Sequence, residues 1–212
     1  ATYTEIVPER LGSIAFRRIA TGAASKTAHL DSPESGAHIA DADLKAMSPE
    51  ASDVQIIVSD GLSAEAVHHN IPDLLPVLMD GLDRQRISAG KPLLAPYGRV
   101  KLAESVGDAL CPKLVINLIG ERPGGDAMAS RSLSAYLAYR LPEGETREAA
   151  VRFSGNPDIR YEYTVISNIY QNGLPPVEAG SLIAERVNQI LKFKAAGNRL
   201  ERTLSAGTQA AE

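Results

Sequence analysis

The chain contains no tryptophan and a single cysteine, Cys111, among 212 residues. One thiol cannot form an internal disulfide or a cysteine-based zinc site, and no charged-plus-apolar leader opens the sequence, so a reducing, cytosolic setting is expected. No apolar stretch approaches the roughly 20 residues that span a bilayer, which sets membrane insertion aside. Basic residues are not in excess: 22 Lys and Arg stand against 26 Asp and Glu for a net charge of −4, and they form no dense cluster. A nucleic-acid backbone is therefore a poor partner for this chain. Several catalytic signatures are also missing. There is no Gly-x-x-x-x-Gly-Lys-Ser/Thr phosphate loop, no Gly-x-Gly-x-x-Gly after a strand and no Gly-x-Ser-x-Gly elbow. His68 and His69 are adjacent, so on a helix they diverge by about 100° and cannot share a metal as i, i+4 histidines do; surface positions are expected for both. Internal repeats are absent.

Hydrophobic residues, at 44% of the chain, suffice for one domain with a substantial core. Residues 1–53 carry only short apolar clusters such as Leu11–Phe16 and read as an N-terminal arm that contacts a partner or is flexible. From Val54 onward, strand-like and helix-like segments alternate as in βαβ units, which predicts a mainly parallel, doubly wound, Rossmann-like α/β sheet. Val54–Ser59 is an apolar strand that breaks at Asp60-Gly61 into a helix start, with Ser63 as N-cap. The helix runs to about Gln85 on Leu74, Leu75, Leu78 and Leu82, and Pro72 and Pro76 predict a kink or restart. A short strand within Pro92–Tyr97 and a helix on Leu102, Val106, Ala109 and Leu110 follow. Leu114–Ile119 is a continuous buried-strand run leading into Gly120-Glu121-Arg122-Pro123-Gly124-Gly125. Ser132–Tyr139 alternates as a strand with Leu133, Ala135, Leu137 and Tyr139 on one face. Leu141 to about Tyr161 reads as polar and irregular, Tyr163–Ile169 as a strand, and Val177 to Leu191 as the final helix. The residues from about 200 to 212 form a polar tail.

Loops after Val58, Tyr97, Ile119 and Ile169 should gather at one sheet edge, where strand ends face helix N-termini and unpaired N–H groups. Asp60 there either meets a ligand or caps its turn. Glu121 either accepts amide hydrogen bonds or pairs with a neighbouring arginine such as Arg99, and Arg99 either binds an anion or covers the edge. Cys111, with no base beside it, reads as a packing residue. No self-contained catalytic set emerges.

Five stretches occur in order and at approximate spacing: Val54–Ser63 (VQIIVSDGLS), Tyr97–Lys101 (YGRVK), Leu118–Gly124 (LIGERPG), Ser132–Tyr139 (SLSAYLAY), and Ile166–Ile169 (ISNI) followed by Gly173–Gly180 (GLPPVEAG). Together they resemble the small (light) subunit of ethanolamine ammonia-lyase over roughly residues 54–199. The resemblance implies a lyase subunit that is inactive alone and pairs with a large subunit. That partner binds ethanolamine and supplies most catalytic groups, while adenosylcobalamin lies at the interface for radical conversion of ethanolamine to acetaldehyde and ammonia. The cofactor carries such chemistry and the protein positions it. Matched motif by motif, the family's cobalamin contacts fall on Val100, on Glu121 and on Val165, where some relatives have cysteine. No catalytic residue or metal ligand on this chain is implied, and without an Asp-x-His-x-x-Gly motif the cofactor is expected to keep its own benzimidazole on cobalt. Family members often work inside a bacterial microcompartment, so that placement within the cytoplasm is implied too. The N-terminal region and the segment from Pro142 to Tyr161 depart from the family pattern. Two other readings compete: a free-standing α/β enzyme acting on a phosphorylated small molecule through Asp60, Arg99 and Glu121, and a scaffold subunit that makes no cofactor contact.

Overall fold

A computed structural model describes residues 4–121 and 131–209. Six strands form one sheet, and their order is β1 (Arg17–Arg18), β3 (Leu93–Leu94), β2 (Val54–Ser59), β4 (Leu114–Gly120), β5 (Leu133–Arg140) and β6 (Tyr161–Ile169). The first four pair in parallel; β5 is antiparallel to both β4 and β6. Five strands thus run one way and β5 alone runs against them. The α/β class and the parallel centre match the sequence reading, and the antiparallel β5 makes the sheet a mixed one.

The centre is apolar because β2 and β4 are covered on both faces, and every residue of each is buried. On one face, Ile56, Val58, Ile116 and Leu118 share a core with α3 (Ala64–Arg84), and α6 (Pro176–Phe193), which packs on α3, β5 and β6, extends it. Leu74, Leu75, Leu78 and Leu82 of α3 and Ile183, Val187 and Ile190 of α6 complete that core. On the other face, Ile57, Leu93 and Val115 meet Leu102, Val106 and Leu110 of α4 (Leu102–Leu110).

Four local expectations are corrected. Helix α3 runs unbroken through Pro72 and Pro76. Pro76 is exposed and Pro72 only half-buried, so neither ring lies on the fully buried leucine face that holds the helix to the core. The segment expected to be irregular contains α5 (Glu145–Ser154), whose buried side is only Ala150 and therefore left no apolar stripe in the sequence. His68 is buried: its Nε2 accepts the Val7 N–H at 2.8 Å. Burial first, and then the Arg10 cation, hold its pKa below the ordinary imidazole value. Cys111 is exposed, because it caps α4 in a left-handed conformation with φ +57° that turns the side chain outward.

The residues ahead of Val54 lie along the sheet. Arg17–Arg18 supply the edge strand β1, Leu11 is fully buried in the core, and α1 (Lys26–Asp31) and α2 (Asp41–Lys45) follow. At the other end, α7 (Gly197–Gln209) extends the chain as a helix. It is anchored where Arg199 grips the Glu162 carboxylate through two hydrogen bonds of 2.7 Å, and Leu200 is buried.

Two glycines interlock the ends of β2 and β4. Gly61 has φ +49° and the Leu62 N–H donates to the Gly120 carbonyl at 2.9 Å. A Cβ on Gly120 would lie 2.1 Å from the Ser63 carbonyl oxygen and 2.5 Å from that of Asp60, both backbone atoms that cannot step aside. Gly120→Ala is therefore expected to lower unfolding stability by at least about 1–3 kcal/mol, the usual cost of overpacking, as read from urea denaturation; unchanged stability would mean that the two strand ends are not held this closely.

Candidate functional site

Because five strands share one direction, the ends of β2, β3, β4 and β6 lie at one edge of the sheet. The Asp60 turn at this edge is closed by charge. Lys26 Nζ, on α1, donates to Asp60 Oδ2 at 2.7 Å and to the Gly61 carbonyl at 3.0 Å, and Asp60 Oδ1 accepts the Tyr97 N–H at 2.6 Å. Both side chains of the pair are buried. Asp60 is thus a structural carboxylate that joins the N-terminal segment to the β2 and β3 loops. The Tyr97 hydroxyl donates to Glu5, which with burial pushes its pKa up to about 12. Arg99 reaches the His29 carbonyl at 2.8 Å, and the Arg99 N–H donates to the Gly36 carbonyl at 2.8 Å. His29 is fully buried, and neither ring nitrogen has a hydrogen-bond partner among the described residues. Burial first, then the Arg99 and Lys26 cations, hold its pKa below the usual value and favour the neutral ring.

Asp60, Arg99 and Glu121 therefore do not form an open anion site, since Asp60 is fully buried and already matched to Lys26. Glu121 is partly exposed at the end of β4, with its N–H donated to the Ser132 carbonyl at 3.0 Å. Its carboxylate accepts from Tyr136, at 3.3 Å, and Arg99 is not the residue it meets. Arg122–Gly125, the rest of that sequence motif, lie outside the described residues.

Sheet register relates Val100, Glu121 and Val165 to one another. Asn117 on β4 sits opposite Tyr136 on β5, and Tyr136 sits opposite Val165 on β6. Directly paired residues point to the same side of a sheet, about 5 Å apart, and this side is the one that α4 covers near Ile57 and Val115. Each member of the row engages one part of the edge. Asn117 Nδ2 donates to the Arg99 and Val100 carbonyls at 3.1 and 3.4 Å, Tyr136 donates to Glu121, and Val165 presents an apolar side chain that is 48% exposed. Among the described residues, none accepts the Val100 N–H.

Asn117 is fully buried, and its Oδ1 has no hydrogen-bond partner among the described residues. An unmet buried acceptor costs about 1–3 kcal/mol. Burial, followed by the charge of Glu121 and the hydrogen bond to it, raises the Tyr136 pKa, so the phenol stays a donor. The arrangement offers a carboxylate acceptor, a backbone donor and an apolar surface side by side, without a nucleophile and base in contact. Groups of three or more His, Cys, Asp or Glu suited to a metal are absent among the described residues.

Sequence reasoning missed Asn117, Tyr136 and Lys26. A polar residue inside the apolar run Leu114–Ile119 was the signal for Asn117. Tyr136 occupied the face opposite Leu133, Ala135, Leu137 and Tyr139, while Lys26 left no local signal because its partner is 34 positions away.

The buried Lys26–Asp60 pair generates a stability prediction. Lys26→Met leaves Asp60 charged and unpaired in the interior and should cost about 3–5 kcal/mol in a denaturant titration. Adding Asp60→Asn should recover part of that loss, and a double variant no more stable than Lys26→Met would show that the pair is not the source.

A family model of the ethanolamine ammonia-lyase light chain (EutC) matches residues 3–201. The match takes in the region ahead of Val54 that the sequence resemblance left out, in keeping with the structural attachment of that region through β1, Leu11 and Lys26. The chain accordingly belongs to the ethanolamine ammonia-lyase light-chain family.

Proposed function

We propose that this chain is the light subunit of an adenosylcobalamin-dependent ethanolamine ammonia-lyase and that its sheet edge forms one wall of the cobalamin site against the large subunit. The observation that carries this reading is the cross-strand row Asn117–Tyr136–Val165, around which Val100 and Glu121 gather. The donor set suits the cofactor. Corrin side-chain amides donate N–H groups that the Glu121 carboxylate can accept, the Val100 N–H can meet an acceptor, and Val165 offers apolar contact, for which a sulfur atom is unnecessary.

When bound, adenosylcobalamin supplies the radical that removes a hydrogen from substrate. This chain would bind and orient the cofactor, and ethanolamine would be held mainly by the large subunit. The closed Asp60 turn favours this reading over a free-standing enzyme acting on a phosphorylated molecule, because the carboxylate that such an enzyme would use is sequestered. The doubly wound, Rossmann-like description fits β2, β3 and β4, which pair in parallel with helices on both faces. A cytoplasmic or microcompartment setting belongs to the same proposal. Within the described residues, no helix is long and apolar enough to cross a membrane.

Ammonia release from ethanolamine should require this chain, the large subunit and adenosylcobalamin together. Activity of this chain alone would overturn the assignment, and a stable but inactive complex would favour a scaffold. In the assembled enzyme, Glu121→Ala should weaken cobalamin binding about tenfold or more, as expected for loss of hydrogen bonds to a charged acceptor, while leaving subunit assembly intact. Equilibrium dialysis would reveal this, and unchanged affinity would remove Glu121 from the site.

A further inference from the structure

We propose that Tyr136 is a positioning residue that aims the Glu121 carboxylate at the bound corrinoid; the inference rests on the cobalamin-edge reading above. Glu121 follows the last residue of β4, where the regular ladder no longer dictates its side-chain direction. Its backbone is held by the N–H bond to Ser132, and among the described residues the carboxylate's partner is the Tyr136 hydroxyl at 3.3 Å. Tyr136 is itself well fixed. It lies within β5, between Asn117 on one side and Val165 on the other, and is partly buried.

A phenol fixed in the sheet can select one carboxylate orientation at a strand end, and by occupying one oxygen it leaves the other for a ligand N–H. Its neighbour Asn117 acts in the same way on the other loop, through the Arg99 and Val100 carbonyls. One row of the sheet thus sets the spacing between a carboxylate acceptor on the β4 loop and the Val100 turn on the β3 loop. A corrinoid carries amide groups around a wide, rigid ring, so a fixed spacing between contacts matters to its affinity.

The test is a double-mutant cycle on the assembled complex with the large subunit, using hydroxocobalamin as probe and corrin absorbance after equilibrium dialysis as readout. Tyr136→Phe removes only the hydroxyl and should raise the dissociation constant about three- to tenfold. On a Glu121→Ala background the same change should have no further effect, because the group through which Tyr136 acts is gone. Equal losses on both backgrounds would overturn the proposal, showing that Tyr136 acts independently of Glu121. Wild-type affinity in Tyr136→Phe, with Glu121→Ala still weakened, would overturn it while sparing the cobalamin-edge reading. Wild-type affinity in Glu121→Ala would sink that reading and this inference together. Thermal melting of each complex separates a folding defect, which Tyr136→Phe should not produce, from loss of binding.

Discussion

Parallel pairing of β2 with β4 is the constraint on which the other features depend. The register runs without a break from Val54 opposite Leu114 to Ser59 opposite Ile119, and all of these residues are buried. Each fully buried aliphatic side chain contributes about 1.5–3 kcal/mol, and a slip of one residue would turn every one of them to the opposite face. The register also brings the Asp60 and Gly120 ends level, where Gly61, Gly120 and the Leu62 hydrogen bond lock them together. The loops at that edge are positioned by the core beneath them.

Charge is divided between two tasks at this edge. Lys26 and Asp60 are withdrawn from water and matched to each other, so they hold the N-terminal segment to the β2 turn and are closed to a ligand. Glu121 remains partly exposed, is oriented by a neutral phenol, and keeps acceptor capacity in hand. A buried pair of this kind adds little net stability compared with an apolar substitute, yet breaking it is expensive. Its value here lies in joining segments that are far apart in sequence.

The reversal at β5 shapes the surface on which the proposed cofactor wall rests. An antiparallel strand can extend a sheet without a crossover helix, so no covering element is required over this part of the α4-side face. Helix α4 protects the face at Ile57 and Val115, and its side chains reach β6 as far as Tyr163, whose hydroxyl donates to Glu104 at 2.7 Å. Two residues further along β6, Val165 is exposed. That boundary between covered and open sheet is where the proposed cofactor wall would meet the large subunit.

Much of this was legible in the sequence, because it rests on local patterns. The continuous apolar runs Val54–Ser59 and Leu114–Ile119, the Asp60-Gly61 break and the leucine stripe of α3 carry their own periodicity, and the ordered motifs led to the family. Weak amphipathicity hid α5, whose buried side is only Ala150, and a polar composition left α7 looking like a tail. Other features had no local trace. Burial of His68 depends on Val7 arriving from 61 residues away, and the Lys26–Asp60 pair joins positions 34 apart. By itself, the sequence determined the α/β class, the principal strands and the family, since these follow from side-chain periodicity and motif order. Only the tertiary structure decided that β5 runs antiparallel, that Asp60 is sealed by Lys26, and that Asn117, Tyr136 and Val165 form one row, because strand direction and register arise from pairing between distant segments.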